Sequence, residues 1–216
     1  MKDRVRAEKN LVRAGIICGV LTAVTYFITT FVGLPAAVER AIFIYSGPLL
    51  VVAILGAYQF LRRPQASASA MLGAVFGVAA GVTRMLFAVV QEANVERFGR
   101  ITAAMADPAA QQMWRDIKGS IFSVQSGMNY VFDFCGDITA YLFAIAMWHH
   151  PKFGKPLSIA AVLLVSPHFV MKLVTFPKPP AAAGLFDAGP LSMLVLLVVM
   201  VQMARHLSWM DTWEEA

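Results

Sequence analysis

The chain has 216 residues, of which 58% are hydrophobic and only 14% charged. A soluble domain carries roughly 25% charged residues, and a chain of this size has too much surface to hide so apolar a composition from water. The net charge of +5 comes from residues in short segments between apolar runs, with no basic patch interleaved with aromatics, so nucleic acid is excluded as a partner and a lipid bilayer is implied.

The expected fold class is all-α: a single transmembrane domain over 1–216, built as a polytopic membrane helix bundle of six transmembrane helices. The first span is read at 11–33, after a basic start that includes Lys2, Arg4, Arg6, Lys9 and Arg13. This apolar run is longer than a signal-peptide core, so it is expected to be retained as a helix. The second span, 41–61, closes at Arg62-Arg63-Pro64. The third, 67–91, carries Gly73, Gly77 and Gly81 at four-residue spacing, a ladder of small residues that lets another helix approach closely.

Residues 92–118 break the apolar pattern with charges around Val95, Phe98, Met105 and Trp114. They are expected to form a loop with a short amphipathic segment at the interface, between helices 3 and 4. The fourth span is read at 119–147 and the fifth at 156–175, interrupted by Pro167. The sixth is read at 185–207, with Trp209 and Trp213 just beyond it. Basic residues cluster before the first span and in the second–third and fourth–fifth connections. That bias predicts an inner (plasma) membrane protein with both termini cytoplasmic.

Ionisable groups inside a span are costly and are candidates for function by default. In the fourth span Gln125, Asn129, Asp133, Asp137 and Tyr141 recur every four residues. Asn129, Asp133 and Asp137 therefore share a stripe ~80° wide and ~12 Å tall on one helix face. Two carboxylates one turn apart can hold a divalent cation, share a proton or grip a cation, so Asp133 and Asp137 are metal-ligand candidates as well as ion-pair candidates. Arg84, in the third span, is expected to pair with Asp133 or Asp137, with the glycine ladder supplying the close approach. His168 follows Pro167, and Lys172 comes one turn later; they are ligand, proton-carrier or packing candidates. His149 and His150 read as loop residues. Histidines at matched depth, which haem ligation requires, are missing. Cys18 and Cys135 lie inside apolar runs and read as small packed residues. Thr25, Thr29, Tyr45, Arg84, Asn129, His168, Lys172 and Asp187 all fall toward the outer half, which predicts a polar pocket opening outward.

The stretch Asn129-x-x-x-Asp133-x-x-x-Asp137 is similar to the first acidic motif of UbiA-type membrane prenyltransferases. The resemblance covers nine residues, and it implies acids that bind a prenyl diphosphate through magnesium. That family has about nine helices and a second acidic motif; here only Asp187 follows before the C-terminal tail. The whole chain resembles a family of bacterial six-helix integral membrane proteins with a long segment after the third helix, an acidic fourth helix and a Gly-Pro, here Gly189-Pro190, near the start of the last. This implies an architecture without an activity.

Three readings of function follow. The first is a non-catalytic subunit or scaffold of a homo-oligomer or larger membrane complex. The second is an enzyme or binding protein for a lipid-like or isoprenoid ligand held at the acidic site. The third is a proton-coupled transporter of small solutes.

Overall fold

The computed structural model describes residues 2–62, 67–104 and 107–214. Arg63, Pro64 and Met105 lie outside the described residues, as do the side chains of Lys2 and Trp213. The described residues form six α-helices: α1 (Lys2–Phe31), α2 (Ala36–Leu61), α3 (Ser67–Ala104), α4 (Pro108–Trp148), α5 (Gly154–Thr175) and α6 (Gly189–Arg205). Short 3-10 turns at Pro180–Ala183 and Leu207–Glu214 flank α6. Helices α1 to α5 are each long and apolar enough to cross a membrane, whereas α6, with 17 residues, is shorter.

Each helix packs against its neighbours in sequence, and α6 closes back on α1, so the six helices make a ring. The ring is apolar outside, and its interior holds a group of polar side chains beside an apolar core. Ile17, Val75, Leu163 and Val174 are exposed, while Thr22, Asp133, Asp137, His168 and Lys172 are buried. An aqueous fold has the reverse arrangement, because burying an unpaired polar group costs free energy. In a bilayer the outward apolar side chains meet lipid instead of water.

Glycines set the closest helix crossings. A Cβ on Gly56 would sit 2.6 Å from the Cα of Gly15, so α1 and α2 touch backbone to backbone. A Cβ on Gly47 would lie 2.6 Å from the carbonyl oxygen of Gly81, which brings α2 and α3 together in the same way. The ladder on α3 therefore serves mainly α2: Gly77 meets Ile54 and Gly81 meets Gly47 and Val51, and only Gly73 meets α4, through Phe143. The expected approach of the Asp133-bearing helix along the whole ladder does not occur.

The segment 92–118 differs from expectation too. It is not a loop with a separate amphipathic piece. Helix α3 runs on to Ala104, and α4 starts at Pro108, capped by Asp107, whose carboxylate accepts from the backbone N–H groups of Ala109 and Ala110. Glu, Ala, Arg and Gln, which dominate this stretch, are good helix formers whatever their cost in lipid. Phe98, buried, packs edge-on to Trp114 across the hairpin, with ring centroids 6.0 Å apart. At 38 and 41 residues, α3 and α4 reach ~57 and ~62 Å, about twice the ~30 Å hydrocarbon core. Pro167 also fails to interrupt α5, which is continuous from Gly154 to Thr175 with the proline inside it. The proline removes one donor, and the rest of the ladder holds the helix together.

Ion pairs tie the end of the bundle where the chain begins. Glu8 pairs with Arg62 at 2.7 Å and Lys9 with Asp211 at 2.6 Å, joining α1 to the end of α2 and to the C-terminal turn. His150, in the connection after α4, packs there among Phe60, Phe153 and Trp209.

Candidate functional site

Inside the ring lies a cavity of about 450 Å³, lined from all six helices. One part of its wall is aliphatic, with Leu50, Ile54, Phe143, Met147, Val199 and Met200. The other is polar, and its rim carries Glu39, before which α2 starts only one turn away, and Asp187, which precedes α6; both are exposed. On α1, Thr22, Thr25, Thr29 and Thr30 face this part, each hydroxyl donating to a carbonyl one turn back. That bond satisfies the hydroxyl hydrogen within its own helix and leaves an oxygen lone pair for the cavity.

Helices α4 and α5 supply two buried pairs of an acid with a basic side chain, in antiparallel register. Asp133 faces Lys172, and Asp137 faces His168, one turn deeper. Asn129 Nδ2 donates to Asp133 Oδ2 at 2.9 Å. His168 Nδ1 lies 2.9 and 3.0 Å from the two oxygens of Asp137. Against an ionised carboxylate, which only accepts, the ring donates from Nδ1. The polar seam continues to either side: Tyr141 donates to Ser166 Oγ at 3.1 Å, and the Tyr130 hydroxyl donates to the Lys178 carbonyl. Gln125, the first residue of the four-residue pattern, is buried with no side-chain hydrogen bond among the described residues.

Arg84 is not part of these pairs. Among the described residues it has no carboxylate partner, and the pairing expected with Asp133 or Asp137 is replaced by Lys172 and His168. Its guanidinium lies 4.1 Å from the ring centre of Phe43 and 5.5 Å from that of Phe132. Its Nε donates to Ser46 Oγ at 3.2 Å, and Ser46 donates in turn to the Phe43 carbonyl at 2.7 Å. Helix α2 thus fixes the plane of the guanidinium, while its two terminal nitrogens have no acceptor among the described residues and line the cavity. Cation–π contact stabilises such a group but leaves its outward donors unused.

The cavity therefore gathers Arg84, Asn129, Asp133, Asp137, His168 and Lys172, together with Asp187, around one space. Tyr45 is not among them; it is 65% exposed on the outer surface. Among the described residues no group of three or more His, Cys, Asp or Glu side chains is arranged to hold a metal ion. Asp133 and Asp137 each meet a basic side chain of α5, in contrast with the magnesium-binding acids of the prenyltransferase motif they resemble. Sequence reasoning passed over Ser46 and Phe43, which orient Arg84. Their signal is faint: a serine and an aromatic three residues apart on the helix before the arginine.

No family model, curated protein or solved structure matches this chain.

Proposed function

We propose that this protein is a membrane-embedded binding protein for an amphiphilic anion. Arg84 carries the reading. A half-buried guanidinium with no carboxylate partner among the described residues lines a cavity of about 450 Å³, within the ~300–1,000 Å³ typical of small-molecule sites. An unpaired charge in hydrocarbon costs at least ~2.5–3.5 kcal/mol on insertion scales, and an anionic head group offsets that cost. The aliphatic wall suits the tail of the same ligand.

In this reading α6 is the sixth span. Its 17 residues rise ~26 Å, which with its flanking turns suits a ~30 Å core. Both termini lie on the cytoplasmic side of a bacterial inner membrane, and the polar rim opens to the other side. The basic residues at the end where the chain begins support that orientation. A scaffold role has less support, since the close-approach glycines Gly15, Gly47, Gly56 and Gly81 are used within the bundle.

The test is a thermal-unfolding assay on the purified chain in a neutral detergent. Long-chain sulfonates and carboxylates should raise the midpoint, and alkyl trimethylammonium salts should not. Arg84→Gln should remove the shift and Arg84→Lys should retain part of it. Equal shifts from anionic and cationic amphiphiles would defeat the reading.

A further inference from the structure

The unused nitrogen of His168 bears on what kind of anion the cavity takes. With Nδ1–H directed at Asp137, a neutral ring carries its lone pair on Nε2. That nitrogen has no protein partner among the described residues, is not sealed from solvent-sized space, and belongs to a ring that lines the cavity. A carboxylate behind one nitrogen of an imidazole orients the ring and stabilises the imidazolium that forms when the other nitrogen takes a proton. Asp137 and His168 have that arrangement.

The charges around the cavity restrict the ligand further. Tyr26 of α1, Glu39 of α2, Arg84 of α3, Asp133 and Asp137 of α4, Lys172 of α5 and Asp187 before α6 are the titratable groups that face it with His168. Lys172 is taken by Asp133, so Arg84 alone has positive charge to offer, and it balances one negative charge. Two exposed carboxylates stand at the rim, where they repel a permanent anion but not a neutral molecule. A neutral acid also moves through lipid without the desolvation cost of an ion.

We propose that the cavity takes its ligand as a neutral amphiphilic monocarboxylic acid and ionises it in place, with His168 Nε2 accepting the proton and Arg84 holding the carboxylate. The acid O–H bond breaks, an N–H bond forms on Nε2, and the electron pair stays on the carboxylate. Both new charges are then paired, the imidazolium with Asp137 and the carboxylate with Arg84. Sulfonates and phosphodiesters satisfy Arg84 but have no proton to give. This rests on the reading of the cavity as an amphiphilic-anion site.

Calorimetric titration of the full chain in phosphatidylcholine nanodiscs separates the two claims. Dodecanoate is added at pH 8, where it is an anion in water, in two buffers with different ionisation enthalpies. The wild type should take up about one proton per dodecanoate bound. Decanesulfonate should bind more weakly. In His168→Asn the amide can still donate to Asp137, so the fold keeps its buried hydrogen bond while the base is lost. Proton uptake should vanish there, and dodecanoate affinity should fall by roughly ten- to a hundredfold, the loss of one charge-assisted hydrogen bond. His168→Gln provides a second variant with the same expected readout. Dodecanoate binding that depends on Arg84 but takes up no proton would overturn the proton transfer and leave the binding function standing. Absence of any binding that Arg84→Gln weakens would overturn both.

Discussion

Asp137 and His168 meet across the α4/α5 interface with Nδ1 2.9 and 3.0 Å from the two carboxylate oxygens, and one turn away Asp133 meets Lys172 in the same register. The second pair is as buried as the first. Removing one partner of a buried pair leaves an uncompensated charge, which costs about 3–5 kcal/mol. Lys172→Met should therefore lower unfolding stability by that order. Adding Asp133→Leu to it should recover much of the loss, because the stranded charge goes with it. Denaturant midpoints of the two single variants and the double variant give the coupling; strictly additive losses would show that the pair is not energetically linked.

A second prediction concerns His150, outside the membrane-spanning segments. Lys152 N–H donates to its Nδ1 at 3.2 Å, and Nε2 lies 3.3 Å from the Phe60 carbonyl, so the neutral ring is satisfied at both nitrogens. Burial pushes its pKa down to about 4, and nearby His206 and Lys152 add to the shift, although the Phe60 carbonyl opposes it. The unfolded chain binds this proton near pH ~6.5, while the folded chain refuses it until about pH 4. Stability from this group is thus intact above pH ~6.5 and falls as the pH drops toward about 4. Unfolding midpoints between pH 5 and pH 7 should slope downward with acid, and the slope should flatten in His150→Gln. An identical slope in the variant would assign the effect to other groups.

The glycine crossings make a third prediction. At Gly56 a side chain would collide with the backbone of α1, which cannot rotate aside as a side chain can. Gly56→Val should cost at least the ~1–3 kcal/mol typical of overpacking. Gly127, in the middle of α4, has nothing within 4 Å of an added Cβ. Gly127→Ala should be neutral or stabilise by up to about 1 kcal/mol, as alanine does inside an exposed helix. Melting temperatures in one detergent suffice for the comparison, and a tolerated valine at position 56 would contradict the described α1/α2 contact.

Topology supplies the fourth. Ala109 is exposed in the first turn of α4, at the tip of the α3–α4 hairpin. With Cys18 and Cys135 replaced by alanine, Ala109→Cys should react with a membrane-impermeant maleimide in intact bacterial cells. Labelling that appears only after permeabilisation would reverse the proposed orientation.

Much of the fold was legible because the membrane writes it into composition. Apolar runs near the length of a bilayer gave α1, α2 and α5 within a few residues, apart from the basic start of α1, which continues the helix into the polar zone. The same signal misread 92–118, because charge excludes a segment from lipid without excluding it from a helix. The site residues stood out one by one as costly groups in apolar surroundings. Their pairing did not, because Arg84 looked like the natural partner of two aspartates and the register between helices is set by packing along their whole length. One cue was present: the connection at 149–153 lies midway in sequence between Asp137 and His168, and equally between Asp133 and Lys172. A helical hairpin folded at that point brings both pairs opposite each other.

That symmetry makes the α4–α5 pair behave like a vernier with a single permitted setting. Slide α5 by one turn, ~5.4 Å, and His168 comes opposite Asp133 while Leu164 comes opposite Asp137, which is left charged against an aliphatic side chain. Slide it the other way and Lys172 reaches Asp137, but Asp133 faces Phe176 beyond the end of the helix. Either displacement strands a buried carboxylate, so the two helices are locked into moving as one body. The contact between α5 and α6 is the sparsest between neighbours in the ring. Under the proposed function, a tail sliding in from the surrounding lipid would part the bundle along that seam.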